Sequence, residues 1–247
     1  MVRFFPIYLL AQNTQFSTDN RTQGYWTLGL NGGLSYQQSD VQSTLDGYGF
    51  GLTLGKNLYY KPGAPLIFDL RGRALYSQSF GLGGQRSYGI NRNDALNGFD
   101  NPNLDYTKSS GETGFVFQNH KTHMGELGIE GVVTFNQLRE RTNVILSLFG
   151  GVGLDWYKTN IDQRNFNGLY SNAYSAIDTL RSISSIRQNL KNNILDGDYE
   201  TNGQGNGEYG KLGIMPSLGL ELGYQLTPDF SVGQGHKVTL ARTELLD

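Results

Sequence analysis

The 247-residue chain predicts an all-β fold, an antiparallel up-and-down transmembrane β-barrel that crosses the bilayer on its strands. Three observations carry this prediction. Segments of ten or more residues alternate strictly between apolar and small polar side chains, the period-two signature of a strand with two unlike faces. The polar phase is mostly Gly, Ser, Asn and Thr, which suits a crowded polar lumen better than the Lys- and Glu-rich outside of a soluble sheet. Long and short connections also alternate along the chain, as they do between the two rims of such a barrel. About seven strands are visible, from an expected eight to ten in the complete barrel.

Composition agrees with these patterns. Glycine is abundant at 34 residues and aromatics make up 12%, while hydrophobic content is 37% and mean hydropathy is −0.42, which excludes a bundle of membrane helices. The chain has no cysteine, and so no disulfide, thiol nucleophile or Cys-ligated metal. A net charge of −2 with Lys and Arg spread evenly provides no basic stripe, so no nucleic-acid partner is expected.

Taken in order, the N-terminal "MVRFFPIYLLAQ" has one basic residue, a short apolar run and a small residue at Ala11. It resembles a secretory signal peptide over residues 1–11, the alternative being a buried first segment. The barrel is expected over 24–247. Its first strand, "WTLGLNGGLSY", runs from Trp26 to Tyr36. The second carries Tyr48, Phe50, Leu52 and Leu54 outward, and the third carries Leu66, Phe68, Leu70, Ala74 and Tyr76. A fourth turns Leu127, Ile129, Val133 and Phe135 outward, and a fifth Val144, Leu146, Leu148, Val152, Leu154 and Trp156. The sixth spans Leu212 to Leu226. The last, Phe230 to Leu240, is weaker because Gln234 and His236 fall on its apolar face.

Trp26, Tyr36, Tyr48, Tyr60, Tyr76, Trp156 and Tyr224 sit at strand ends in the apolar phase, as membrane-interface aromatics do. The ten-residue interval from Trp26 to Tyr36 corresponds to about 33 Å of strand, or roughly 24 Å of depth at a 45° tilt. That is close to the height of the apolar band between aromatic girdles. The short connections are 60–65, 138–141 and 226–229, and the long ones run from Phe80 to His120 and from Lys158 to Tyr209. An odd strand count leaves the C-terminus on the wrong side, so either a strand is hidden in a long loop or the chain is truncated at its C-terminus, the latter being favoured. Within 172–197, Ile177, Leu180, Ile183, Ile186, Leu190 and Ile194 recur at helical spacing, with Gly197 as the stop. This loop helix is read as packing on the rim, the alternatives being a pore plug or a partner dock.

On the polar phase, Asp69, Arg71 and Arg73 of the third strand face the same side as Glu126 and Glu130 of the fourth. They form a candidate lumen charge cluster, read either as a salt-bridge network filling a narrow barrel or as a selective constriction. His120, His123 and Glu126 are spaced by three, which on a strand places the histidines on opposite faces, so no metal site is expected. The glycine-rich 49–55 and 81–84 precede no helix and are not phosphate loops. The Asn- and Asp-rich stretch 91–105 fits no calcium loop. No cofactor and no enzymatic activity are expected, and a hydrolase built on His123 or Ser217 ranks last.

The strands "WTLGLNGGLSY" and "LGIEGVVTF", the stretch "PSLGLELGYQLTPDFSVGQGHKVTL" and the leader-like "YLLAQ" together resemble the outer-membrane β-barrel proteins of Gram-negative bacteria, including porin-like barrels. The resemblance covers most of the chain from residue 24 and resides in architecture. It implies a bacterial outer-membrane location, contact with the lipid bilayer and lipopolysaccharide, and insertion by the barrel assembly machinery. It also leaves two functions in view: a narrow passive pore for small solutes, or a non-conducting barrel whose long loops bind an envelope or surface partner.

Overall fold

The computed structural model describes residues 2–13, 25–37, 43–88, 115–162, 164–165, 168–169, 174, 177–199, 201–202 and 210–240. The alternating stretches form strands β1 (Val2–Asn13), β2 (Trp26–Gln37), β3 (Ser43–Tyr59), β4 (Leu66–Tyr88), β5 (Phe115–Phe135), β6 (Val144–Ile161), β7 (Lys211–Thr227) and β8 (Phe230–Thr239). Two short helices accompany them, α1 (Asn136–Thr142) and α2 (Ile183–Asn193).

Each of the seven strands from β2 to β8 pairs antiparallel with the next, giving the up-and-down curled sheet that alternation and connection lengths predict. β1 pairs with both edges of this run, Leu9 standing opposite Leu30 of β2 and Val232 of β8. The ladder of hydrogen-bonded strands therefore returns on itself. Residues 2–13, most of them expected as a leader, lie in the slot where a strand beyond Asp247 was expected. The slot needs a strand running from the long-connection end to the short-turn end, and β1 has that direction.

Four expectations about local structure are corrected. The connection 138–141 is not a plain turn but part of α1, whose buried Asn136 donates its amide to Ala64 O at 2.9 Å and to Glu140 Oε1 at 2.9 Å. This helix closes against the turn at 60–65, where Gly63 adopts φ +76. The long loop expected between Phe80 and His120 is shorter, because β4 continues to Tyr88 and β5 begins at Phe115, with a register shift between Leu82 and Arg86. The segment after Lys158 is not free of strands: β6 runs to Ile161, and Thr201–Asn202 pairs with its end. The helix in 172–197 is confined to Ile183–Asn193, where Ser182 caps its first turn by accepting from the Ser185 N–H. Gly197 has the left-handed φ of +86 but lies beyond the last helical turn.

α2 does not enter the sheet's interior. Its Ile186 and Leu190, with Tyr174 and Ile177 from the segment before the helix, pack with Leu82 and Phe117 of the projecting β4–β5 hairpin, while Leu180 stays exposed. The stretch 91–105 lies outside the described residues.

Candidate functional site

Alternation places two unlike surfaces on one wall. The outward phase leaves large apolar side chains open, among them Leu28, Leu30, Phe50, Leu52, Leu127 and Ile129, with exposures between 53% and 62% for Leu28, Leu30, Phe50, Leu52 and Ile129 and 65% for Leu127. The inward phase is polar and buried, as at Asn31, Thr53, Ser77, Ser147, Ser217 and Ser231. This inverts the usual distribution, in which large apolar groups are inside and charge is outside.

The predicted aromatics divide between two levels. Trp26, Tyr60 and Tyr224 stand at the short-turn end, and Tyr36, Tyr48, Tyr76 and Trp156 toward the long-connection end. Lys56 lies over the Trp26 ring at 5.1 Å, and Tyr48 donates to Gln78 Oε1 at 3.1 Å. Tyr25, just before β2, has its hydroxyl pushed up to about 12 by burial, with the Asp69 carboxylate adding to the effect.

Inside, the structure brings together four of the five predicted charges. Arg71 meets Glu130 Oε2 through Nε and Nη2, both at 2.8 Å, and grips both oxygens of Glu221 with Nη1 at 2.7 and 2.9 Å. Arg73 Nη2 reaches Glu221 Oε1 at 3.0 Å and Glu130 Oε2 at 3.4 Å. Lys237 Nζ sits between Glu130 Oε1, at 3.1 Å, and Glu126. Both guanidinium groups lie over the Phe149 ring, at 4.7 and 4.9 Å from its centre. Glu130 and Lys237 are each 1% exposed. Burying ions is costly unless geometry and hydrogen bonding compensate, and here each cation has two carboxylates.

Asp69 does not join this network; it accepts from Asn57 Nδ2 at 2.6 Å nearer the short-turn end. Glu221 and Lys237 were missed by sequence reasoning. The signal was present in their inward phase, on the same side as Ser217 and Ser231, but which strand faces which across a closed interior is not written in local spacing. The glycines complete the arrangement. Gly55, Gly128, Gly151, Gly235 and Gly219 are cross-strand neighbours of Arg71, Arg73, Glu130, Glu221 and Lys237 respectively. A Cβ on Gly151 would collide with Ile129 O and Glu130, and one on Gly219 with the Phe149 ring. The glycine-rich phase makes room for long charged side chains.

Asp155 is fully buried opposite Glu126, and neither of its oxygens has a hydrogen-bond partner among the described residues. His120 points inward and is buried, whereas His123 lies on the outward face and shares a 2.6 Å hydrogen bond between its Nδ1 and the Tyr76 hydroxyl. Ser217 is inward and buried, so it and His123 are on opposite sides of the wall. Among the described residues, no group of three His, Cys, Asp or Glu side chains is placed to hold a metal ion.

No protein-family model matches this chain, and no curated protein matches it with significant similarity.

Proposed function

We propose that this chain is an integral outer-membrane β-barrel whose interior is closed to solutes, serving as a structural or interaction protein. The observation that carries the proposal is the inverted wall, with a belt of exposed Leu, Ile, Phe and Val outside and buried charge inside. Water makes such a belt costly at roughly 25 cal/mol per Å² of apolar surface, whereas a bilayer solvates it. A closed ladder also leaves no strand edge to be hydrogen-bonded by lipid, which has nothing to offer it. The aromatic levels at either end of the belt fit the two interfaces, and the barrel assembly machinery is the proposed route of insertion.

The choice of scaffold over pore rests on the interior. Arg71, Arg73, Glu130, Glu221, Lys237 and Phe149 fill the section between β4, β5, β6, β7 and β8, and their exposures do not exceed 8%. A water path for solutes along this side of the interior would have to pass through ion pairs that hold one another. No catalytic role is proposed for any residue.

The test has two stages. Refolded into phosphatidylcholine vesicles, the chain is expected to migrate as a compact band when unboiled and as an extended one after boiling. In planar bilayers the folded form is expected to give no reproducible conductance step. Folding as a soluble monomer without lipid or detergent would overturn the membrane reading. A step whose size changes in Arg71→Ala would replace the scaffold with a narrow pore.

A further inference from the structure

Resting on the membrane reading above, we propose that the outer face of β4, β5 and β6 holds an anionic lipid whose headgroup phosphate is bound by Lys121, His123 and Lys158. On this face the outward rows can be followed across the register. Leu30, Leu52, Ala74, Leu127 and Leu154 form one row, and Phe50, Tyr76, Gly125, Trp156 and Leu212 form the next toward the long-connection end. These residues line an apolar groove of about 860 Å³. Its shortest side chains are at Ala74 and Gly125. A Cβ on Gly125 would meet nothing closer than Trp156 Cε3 at 3.8 Å.

Directly beyond the second row the chemistry changes. His123 is paired with Lys158, and Lys121 is two residues further along β5 on the same face. Directly opposed side chains on one face of a sheet have Cβ atoms about 5 Å apart, so one phosphate group can be reached by both. The Tyr76 hydroxyl holds His123 through Nδ1 at 2.6 Å, so Nε2 is the ring nitrogen that would meet a phosphate. Lys121 is steered by the Phe80 and Tyr199 rings, each 5.7 Å from its Nζ. No carboxylate occupies an outward position on β4, β5 or β6, so among these strands nothing neutralises the cations. A cationic cluster at the aromatic level with an acyl-sized apolar groove below it is complementary to a phosphate-bearing lipid, headgroup above and chain beneath.

The chain has two tryptophans, and Trp156 lines the groove. In Trp26→Phe it is the sole tryptophan, so quenching of tryptophan emission by dibrominated phosphatidic acid against dibrominated phosphatidylcholine reads lipid occupancy at this site. About thirtyfold preference for phosphatidic acid is expected, the order two lysines near an anionic surface give. In Lys121→Gln/Lys158→Gln the preference is expected to fall to parity while the compact unboiled band remains. Gly125→Leu should reduce quenching by both lipids by filling the groove. Parity in the unsubstituted protein, or a preference that the double variant keeps, overturns the lipid site alone. Loss of the preference in millimolar inorganic phosphate reassigns the cluster to a soluble anion and also overturns it. Failure to insert into any vesicle overturns the membrane reading and the lipid site together.

Discussion

Asp155 is the residue at which the interior's charge pairing is incomplete. Arg71, Arg73 and Lys237 are each held by two carboxylates, but Asp155 lies fully buried beside Glu126 with no donor of its own among the described residues. An unpaired buried polar group costs about 1–3 kcal/mol. Asp155→Asn keeps the shape and supplies an N–H that can donate to Glu126, so the variant is expected to be more stable by about 1–2 kcal/mol, on the scale of one such hydrogen bond. The midpoint of urea unfolding in lipid vesicles, followed by loss of the compact gel band, measures it; an unchanged or lower midpoint would show that Asp155 has a donor the geometry does not reveal. At this scale the sequence was partly legible. Arg71, Arg73, Glu126 and Glu130 could be chosen because β4 and β5 are neighbours joined in one hairpin. Glu221 and Lys237 come from strands that follow a long connection, and their meeting with Arg71 and Glu130 depends on how the sheet curls, which period-two spacing does not encode.

Among the elements, α2 and the β4–β5 hairpin make one unit. The hairpin continues past the level of Trp156, and its Leu82 and Phe117 would be open to water there if Ile186 and Leu190 did not cover them. Burying a charge at Leu190 separates the two. Leu190→Asp is expected to release α2 and make the segment 177–199 cleavable by added protease, while the compact unboiled band persists because the strand ladder does not depend on the helix. Resistance equal to the parent would mean that α2 is held by other contacts. Helical spacing of the apolar residues was enough to locate α2 in the sequence, because Ile183, Ile186 and Leu190 follow a 3.6-residue period. Its length was overestimated because Ile177 belongs to the same buried cluster without belonging to the helix. The extent of β4 and β5 was underestimated for a related reason: from Phe80 to Tyr88 and from Phe115 to Glu126 the alternation is interrupted by a register shift and by residues that pack against α2 instead of staying exposed.

For the whole molecule, closure of the ladder is decided by β1. Val2–Asn13 carries an almost continuous apolar run, which a leader and a strand share, so the sequence left both readings open. Its register provides a direct check in a chain without cysteine. Leu9 faces Val232 across β1 and β8, and cysteines introduced at these two positions are expected to form a disulfide under mild oxidation in the folded, lipid-inserted protein. The pair Leu9→Cys and Leu127→Cys, from strands that are not neighbours, should not cross-link, and equal yields for both pairs would refute the register. The ring so closed is uneven in height. β4 and β5 run for 23 and 21 residues, against 12 in β2 and 10 in β8. Among the described residues the wall therefore rises to a crest on one side, crowned by α2, and drops to a low lip on the other. Among the described residues this end therefore presents a flank, the side of the β4–β5 crest, instead of a level mouth.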